Sequence, residues 1–259
     1  MIGSSIDLFG REIPLYGIFF YLGMAVAAAI AVLLRRRAKI DLFDIAGSSV
    51  YIMIGAIAGA KLLFLAISAK QLIEQHIPIE AAIKGGFVFY GGLLGGALGL
   101  IIYVKQFHMD LWRFADLYTT VLPLGHAFGR IGCFFAGCCY GIPWEHGYTY
   151  YSTVGATPLG IPLLPIQLIE AGLLAKLFAV QLILYLRRKN SCQNTVLYFI
   201  VYPTMRFILE FFRGDSERGK LLRLSTSQWV SVLLLVAVFV ALIFASRTKR
   251  NIKSESQNE

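Results

Sequence analysis

Apolar runs of about twenty residues recur along the chain, and most are ended by a cluster of charge. A hydrocarbon core about 30 Å thick is crossed by about 20 residues of helix. Inside it every backbone N–H and C=O must be paired within its own segment. The runs therefore dictate helices, placed at 13–34, 43–67, 85–104, 114–139, 164–186, 195–212 and 228–246. Composition agrees: 57% of the 259 residues are hydrophobic and only 15% are charged, far less charge than a soluble domain of this length carries. The fold class expected is an all-α integral membrane protein with seven transmembrane helices, forming a single membrane-embedded domain over 1–259. The first run follows Arg11 and Glu12, is long enough to span, and ends in a stop-transfer cluster. It reads as a span and not as a cleavable signal peptide.

The formal net charge is +9. The cations cluster beside the apolar runs, which is the positive-inside pattern and gives no reason to expect nucleic acid as a partner. Arg35, Arg36, Arg37 and Lys39 close the first run, and Arg187, Arg188 and Lys189 close the fifth. With these on the cytoplasmic side the N-terminus lies outside and the C-terminus inside. Thirteen lysines and arginines then fall in inner segments against seven in outer ones. Arg213, Arg218, Lys220 and Arg223 crowd one outer loop; either they hold an anionic headgroup, or Asp215 and Glu217 offset them. Lys61 lies within the second run and reads as a lysine snorkelling toward the interface. The loop 68–84 is balanced in charge. Residues 141–163 hold Pro143, Pro158 and Pro162 and read as an external loop with short strands or an interfacial helix.

The polar groups inside the runs carry the chemistry. Residues 125–141 read GHAFGRIGCFFAGCCYG, with Arg130 alone among apolar, small and thiol-bearing residues. Glycine about every fourth position clears a helix face, so that backbone packs closely or a ligand approaches. An arginine at membrane depth persists only where it meets an anion, a carboxylate or water. Arg206, Glu210 and Arg213 follow one another at i,i+4 and i,i+3 and share a face. Pro203, one turn earlier, loosens that backbone. Arg130 and Arg206 exceed the one carboxylate of Glu210, so the cavity should draw an anion such as phosphate, which guanidinium binds bidentately. Gln167 and Glu170 are one turn apart and serve either as an interfacial cap or in the site. Ser225, Ser227, Gln228 and Trp229 read as helix capping and an aromatic belt. His126, one turn before Arg130, reads as a packed histidine. Cys133, Cys138 and Cys139 are compatible with a metal site, a disulfide, a nucleophile or small apolar packing, and their spacing matches no zinc pattern. Cys192 adjoins the inner cluster and should be reduced.

At these motifs the chain resembles the bacterial prolipoprotein diacylglyceryl transferases. LYGIFFYLG resembles that family's opening segment, GGFVFYGGLLGG its glycine-rich segment, and GRIGCFFAGCCYG its GR-x-G-N-F…E-x-x-G signature. PIQLIEA, RFILEFFRGD and STSQW resemble three later segments in the same order. The resemblance implies a seven-helix bundle in the bacterial cytoplasmic (inner) membrane. It implies transfer of the diacylglyceryl group of phosphatidylglycerol to the thiol of a lipobox cysteine in a preprolipoprotein, with release of glycerol phosphate. Arg130 matches the signature arginine that binds the lipid phosphate, Gly141 the closing glycine, Arg206 and Glu210 the later pair, and Tyr16 the opening tyrosine. Three positions depart: Tyr90 stands where the family has histidine, Cys133 where it has asparagine, and Cys138 where it has glutamate. The expected catalytic residues are Arg130, Arg206 and Tyr90, with Arg130, Tyr16, Glu210, Gly141, Cys133 and Cys138 against the substrate. The expected partners are phosphatidylglycerol, the lipobox signal peptide and the bilayer, and neither metal nor other cofactor is required. The same cysteines also allow a divergent paralogue that uses its own thiol or another acceptor, or a membrane thiol-redox or metal-handling protein.

Overall fold

The computed structural model describes residues 5–8, 11–74, 78, 80, 86, 88–153, 155, 157–187, 192–215, 220–221 and 224–255. Seven long helices occur among them: α1 (Leu15–Ala38), α2 (Leu42–Glu74), α3 (Phe89–Gln106), α4 (Leu111–Ala136), α5 (Ile166–Leu186), α6 (Gln193–Leu209) and α7 (Thr226–Glu255). One falls on each expected run. A 3₁₀ turn, Glu210–Phe212, prolongs α6. Three short antiparallel hairpins depart from an all-helical description: β1 (Ser5–Leu8) with β2 (Arg11–Pro14), β3 (Pro143–Thr149) with β4 (Pro162–Leu163), and β5 (Lys220–Leu221) with β6 (Leu224–Ser225). Short strands in 141–163 were one of the two forms expected there. The start of the third run at Gly85, the loop residues His76 and Lys84, and Arg218 and Arg223 lie outside the described residues.

Among the described residues, five segments are long and apolar enough to cross a membrane: α1, the first 28 residues of α2, α5, α6 with its 3₁₀ turn, and α7 as far as Phe244. The chain is a multi-pass membrane protein. In α3 the recurring glycines and the terminal Lys105 and Gln106 dilute the hydropathy, and α4 carries Arg113, Asp116, Thr119, Thr120, His126 and Arg130 along its length. These two fall short by composition, because one is built for backbone contact and the other for polar chemistry.

The chain divides into two compact units, residues 31–117 and residues 1–30 with 118–259. In the first, α2 and α3 make the most extensive helix pairing. Gly55 and Gly59 lie against Gly95 and Gly91, and Gly99 lies against Tyr51. A Cβ at any of these would overlap a carbonyl of the other helix. Apolar side chains gain little from leaving lipid for one another, so contact this close is how such helices associate. Tyr103 Oη donates to Asp44 Oδ1 at 3.0 Å, and Tyr51 Oη to Gln106 Oε1 at 3.0 Å. Lys61 Nζ donates to the Gly86 carbonyl at 3.3 Å and stands 5.2 Å above the Phe64 ring. That is a structural placement within the helix pair, more specific than simple snorkelling.

In the second unit α1 crosses α4 at small residues. A Cβ on Gly23 would lie 2.6 Å from Phe128 Cβ, and one on Gly132 would lie 3.2 Å from the Tyr16 carbonyl. Helix α7 opens with a capping box: Gln228 N–H donates to Ser225 Oγ at 3.2 Å, and Ser225 N–H to Gln228 Oε1 at 2.9 Å. Away from the arginines, Asn194 Nδ2 donates to Thr120 Oγ1 at 2.7 Å and to the Gln181 carbonyl at 2.8 Å, while Gln181 Nε2 returns a bond to the Asn194 carbonyl at 2.9 Å. This buried amide lock ties α4, α5 and α6 together.

Candidate functional site

The site is built where α4 stops. A helix leaves its last carbonyls without partners, and here the segment 150–167 supplies donors for them. Tyr150 Oη donates to the Phe134 carbonyl at 3.0 Å, Thr153 Oγ1 to Ala136 at 2.6 Å, and Gln167 Nε2 to Cys138 at 2.8 Å. Thr157 Oγ1 donates to the Gly137 carbonyl. Burial pushes the Tyr150 hydroxyl pKa upward, so it stays protonated and donating. Beyond this cap the backbone turns left-handed at Gly137 (φ +64°) and again at Cys139 (φ 58°). At Gly137 an L side chain is doubly disfavoured, because its Cβ would also collide with Thr153.

Gly141 then pairs with Arg213 in an antiparallel bridge, flanked by Ile142 N–H to the Phe212 carbonyl and Gly214 N–H to the Tyr140 carbonyl, both at 3.0 Å. The C-terminal ends of α4 and of the extended α6 therefore meet. Farther down, the His126 ring meets the Tyr202 ring edge-on with centroids 5.2 Å apart. Two contacts in the same order along both chains make α4 and α6 parallel. Arg130 is four residues beyond His126 and Arg206 four beyond Tyr202, so both guanidinium groups stand one turn above that contact. Both charges reach the His126 ring, and that of Arg130 reaches Tyr202.

Each arginine meets a carboxylate. Arg130 Nε lies 3.0 Å from Glu170 Oε1, and Arg206 Nη2 lies 2.7 Å from Glu210 Oε2. Arg213 forks onto Asp215, with Nε to Oδ1 at 2.8 Å and Nη2 to Oδ2, and lies 3.8 Å from Glu210. This corrects the charge count made from sequence. The expected cationic excess of Arg130 and Arg206 over Glu210 is removed by Glu170, which α5 brings in from outside the motif. Net charge does not mark the site, but donors remain unused in it. A guanidinium has five N–H groups. Arg206 Nη1 is buried with no hydrogen-bond partner, while Nη2 also reaches Ser227 Oγ at 3.4 Å. Beside Arg130, Gly129 faces open space, with nothing within 4 Å of where its Cβ would be.

The other expected residues fall in several places. Tyr16 stands in the first turn of α1, 43% exposed, stacked along Phe20 and with its backbone against Gly132. Gly141 is required by packing: its Cβ would overlap the Leu164 carbonyl and lie 3.1 Å from that of Phe212. Tyr90 belongs to the first turn of α3, in the unit 31–117, whereas every other expected site residue belongs to the second unit. Cys133, Cys138 and Cys139 are in no disulfide among the described residues, and their sulfurs all lie within 4.8 Å of one another. Gln167 and Glu170 resolve into two jobs, one capping α4 and the other pairing Arg130. Tyr202 is the site residue that motif reading passed over, whereas Glu170, left open between an interfacial cap and the site, belongs to the site.

A multi-pass helical membrane protein with three buried arginine–carboxylate pairs at one end of two parallel helices is the class that fold and site define. The family model described as prolipoprotein diacylglyceryl transferase matches residues 4–244, and the chain belongs to that family. It is 35% identical over 240 residues to a phosphatidylglycerol–prolipoprotein diacylglyceryl transferase of Clostridium tetani, covering 90% of this chain and 94% of that protein. A relative in Clostridium perfringens with the same name and the suffix 2 is 31% identical over 89% of this chain and 90% of its own length. One from Synechococcus elongatus is 28% identical over 96% of this chain and 89% of its own.

Proposed function

We propose that the protein transfers the diacylglyceryl group of phosphatidylglycerol to the thiol of a lipobox cysteine in a preprolipoprotein and releases glycerol phosphate. The observation that carries this is the arginine pair on parallel α4 and α6, one turn above the His126–Tyr202 contact, with a buried donor of Arg206 unused. In the reaction the thiolate sulfur attacks the glycerol carbon of the diacylglyceryl group. The carbon–oxygen bond to phosphate breaks and its electron pair leaves with the glycerol phosphate. Arg130 and Arg206 hold the phosphate and stabilise the charge it gains, an effect strongest in a low-dielectric site. Glu210 and Glu170 fix the two guanidinium planes, and Tyr16 lies at the α1–α4 crossing, where a lipid would enter. Gly141 positions Arg213 through their shared backbone bridge. Tyr90 belongs to the other unit, and the phosphate-holding role rests on Arg130 and Arg206 alone.

The whole chain acts as one transferase domain of seven spans in the bacterial cytoplasmic membrane. The N-terminus and the α4 cap lie outside, where the lipobox peptide emerges, and the C-terminus lies inside. The charge bias of the sequence supports this orientation. The test is transfer of labelled diacylglycerol from phosphatidylglycerol vesicles to a lipobox peptide. Arg130→Ala should lower the rate by at least about 100-fold, the scale set by loss of one charge-stabilising donor. Because that change strands Glu170, the double variant Arg130→Ala with Glu170→Ala is measured beside it for insertion and thermal unfolding. Wild-type transfer rates in a folded Arg130 variant reject the proposal.

A further inference from the structure

Three thiols, Cys133, Cys138 and Cys139, stand at the end of α4. Their convergence is constructed. Cys138 N–H donates to the Cys133 carbonyl at 3.1 Å, which folds residue 138 back over residue 133. The left-handed backbone at Gly137 and Cys139 then turns the third side chain to the same place. The cap of Tyr150, Thr153, Thr157 and Gln167 holds this turn in one conformation. All three are half-buried. Pairing as a disulfide would leave one thiol over, whereas a single cation uses all three. Sulfurs on a tetrahedral zinc, each about 2.3 Å from the metal, stand about 3.8 Å apart. The sulfurs lie within 4.8 Å of one another, at most about 1 Å wider than that spacing. Arg130 stands one turn before Cys133 on α4, and Arg213 is bridged to Gly141, two residues past Cys139, so cations flank the cluster.

We propose that Cys133, Cys138 and Cys139 form a trithiolate site for a soft divalent cation such as Zn²⁺, with the fourth coordination position open to the acceptor cysteine. Three protein ligands and one open position is the arrangement of catalytic rather than structural zinc. The second half rests on the transferase reading. On coordination the acceptor thiol gives its proton to solvent, since a metal-bound thiol is deprotonated outright. Its sulfur then forms the bond to the glycerol carbon as the carbon–oxygen bond to phosphate breaks, and the metal undergoes no redox change. The site thereby supplies the thiol activation that a phenol at position 90 does not. It also takes up one of the roles the cysteine spacing had left open, in place of a metal-free site.

The test uses full-length protein in nanodiscs, stripped with chelator under reducing conditions and titrated with Co²⁺ and then Zn²⁺. One equivalent of Co²⁺ should give sulfur-to-cobalt charge-transfer absorption and be displaced by Zn²⁺. Cys138→Ser and Cys139→Ser should each weaken binding by more than the about 10–100-fold that follows loss of an outer-shell partner. Cys192→Ser should leave it unchanged. Adding a lipobox peptide should shift the cobalt spectrum, and the same peptide with serine for cysteine should not. Absent stoichiometric binding, or binding indifferent to the Cys138 and Cys139 variants, overturns the metal site. An unmoved spectrum with the cysteine peptide overturns the acceptor position, as does full transfer by chelator-stripped protein. Failure of transfer with the cobalt site intact counts instead against the transferase reading.

Discussion

Glu170→Gln isolates the least expected contact in the site. The carboxylate lies 3.0 Å from Arg130 Nε, with side-chain exposures of 2% and 14% respectively. At an effective dielectric of about 20, two unit charges at that distance attract by about 5.5 kcal/mol. The carboxamide keeps the shape and an acceptor oxygen, which returns about 1–1.5 kcal/mol. The variant should therefore be less stable by about 4–4.5 kcal/mol, within the range for breaking a buried pair from one side. At about 2–4 °C per kcal/mol for a chain of this size, its Tm should fall by roughly 8–18 °C. The loss should also depend on lipid. Arg130, left with an uncompensated charge, gains more from a phosphate than the wild-type residue does. Moving from phosphatidylcholine to phosphatidylglycerol nanodiscs should therefore raise the Tm of the variant more than that of the wild type. A shift below about 2 °C, or equal lipid dependence in the two proteins, would refute the idea that Glu170 holds Arg130 in reserve for an anion.

Gly141→Ala forces a methyl group onto the Leu164 and Phe212 carbonyls. Backbone has little room to yield, so a loss of about 1–3 kcal/mol is expected in thermal unfolding, with a matching drop in transfer as Arg213 shifts. Ser225→Ala removes the hydroxyl that accepts from Gln228 N–H. It should cost about 1 kcal/mol of stability while leaving cobalt binding at the cysteines intact.

The helices were legible because the signal is physical and local. A run long and apolar enough to span must be helical, and a helix lies on each of the seven runs. Ser225 and Gln228 were legible as a cap for the same reason, since a capping box needs only its own four residues. The shared face of Arg206, Glu210 and Arg213 followed from helix geometry alone, and their carboxylate contacts agree with it. Illegible were the contacts between distant segments. Nothing within GHAFGRIGCFFAGCCYG announces that Arg130 is neutralised from α5, so counting charges motif by motif gave an excess that the folded chain does not have. The glycines divided in the same way. Their spacing predicted an open helix face, but only the packing partners separate Gly132, closed by Tyr16, from Gly129, which faces space.

The same distinction explains why the cysteines matched no ligand pattern. Metal-ligand spacings summarise how common turns return side chains to one point. Here the return is made by two left-handed residues, Gly137 and Cys139, at the end of α4. That end is held open by donors from residues 150 to 167. Gln167 caps Cys138, and Glu170, one turn later on α5, pairs Arg130. One helical turn of α5 thus fixes both the thiol-bearing loop and the nearer arginine. Gly141 carries the same loop onto Arg213 and so onto the end of α6. A displacement of the α4 cap would move the thiols and both arginine helices together. Nucleophile activation and phosphate binding would then fail as one unit, and not as separable contributions.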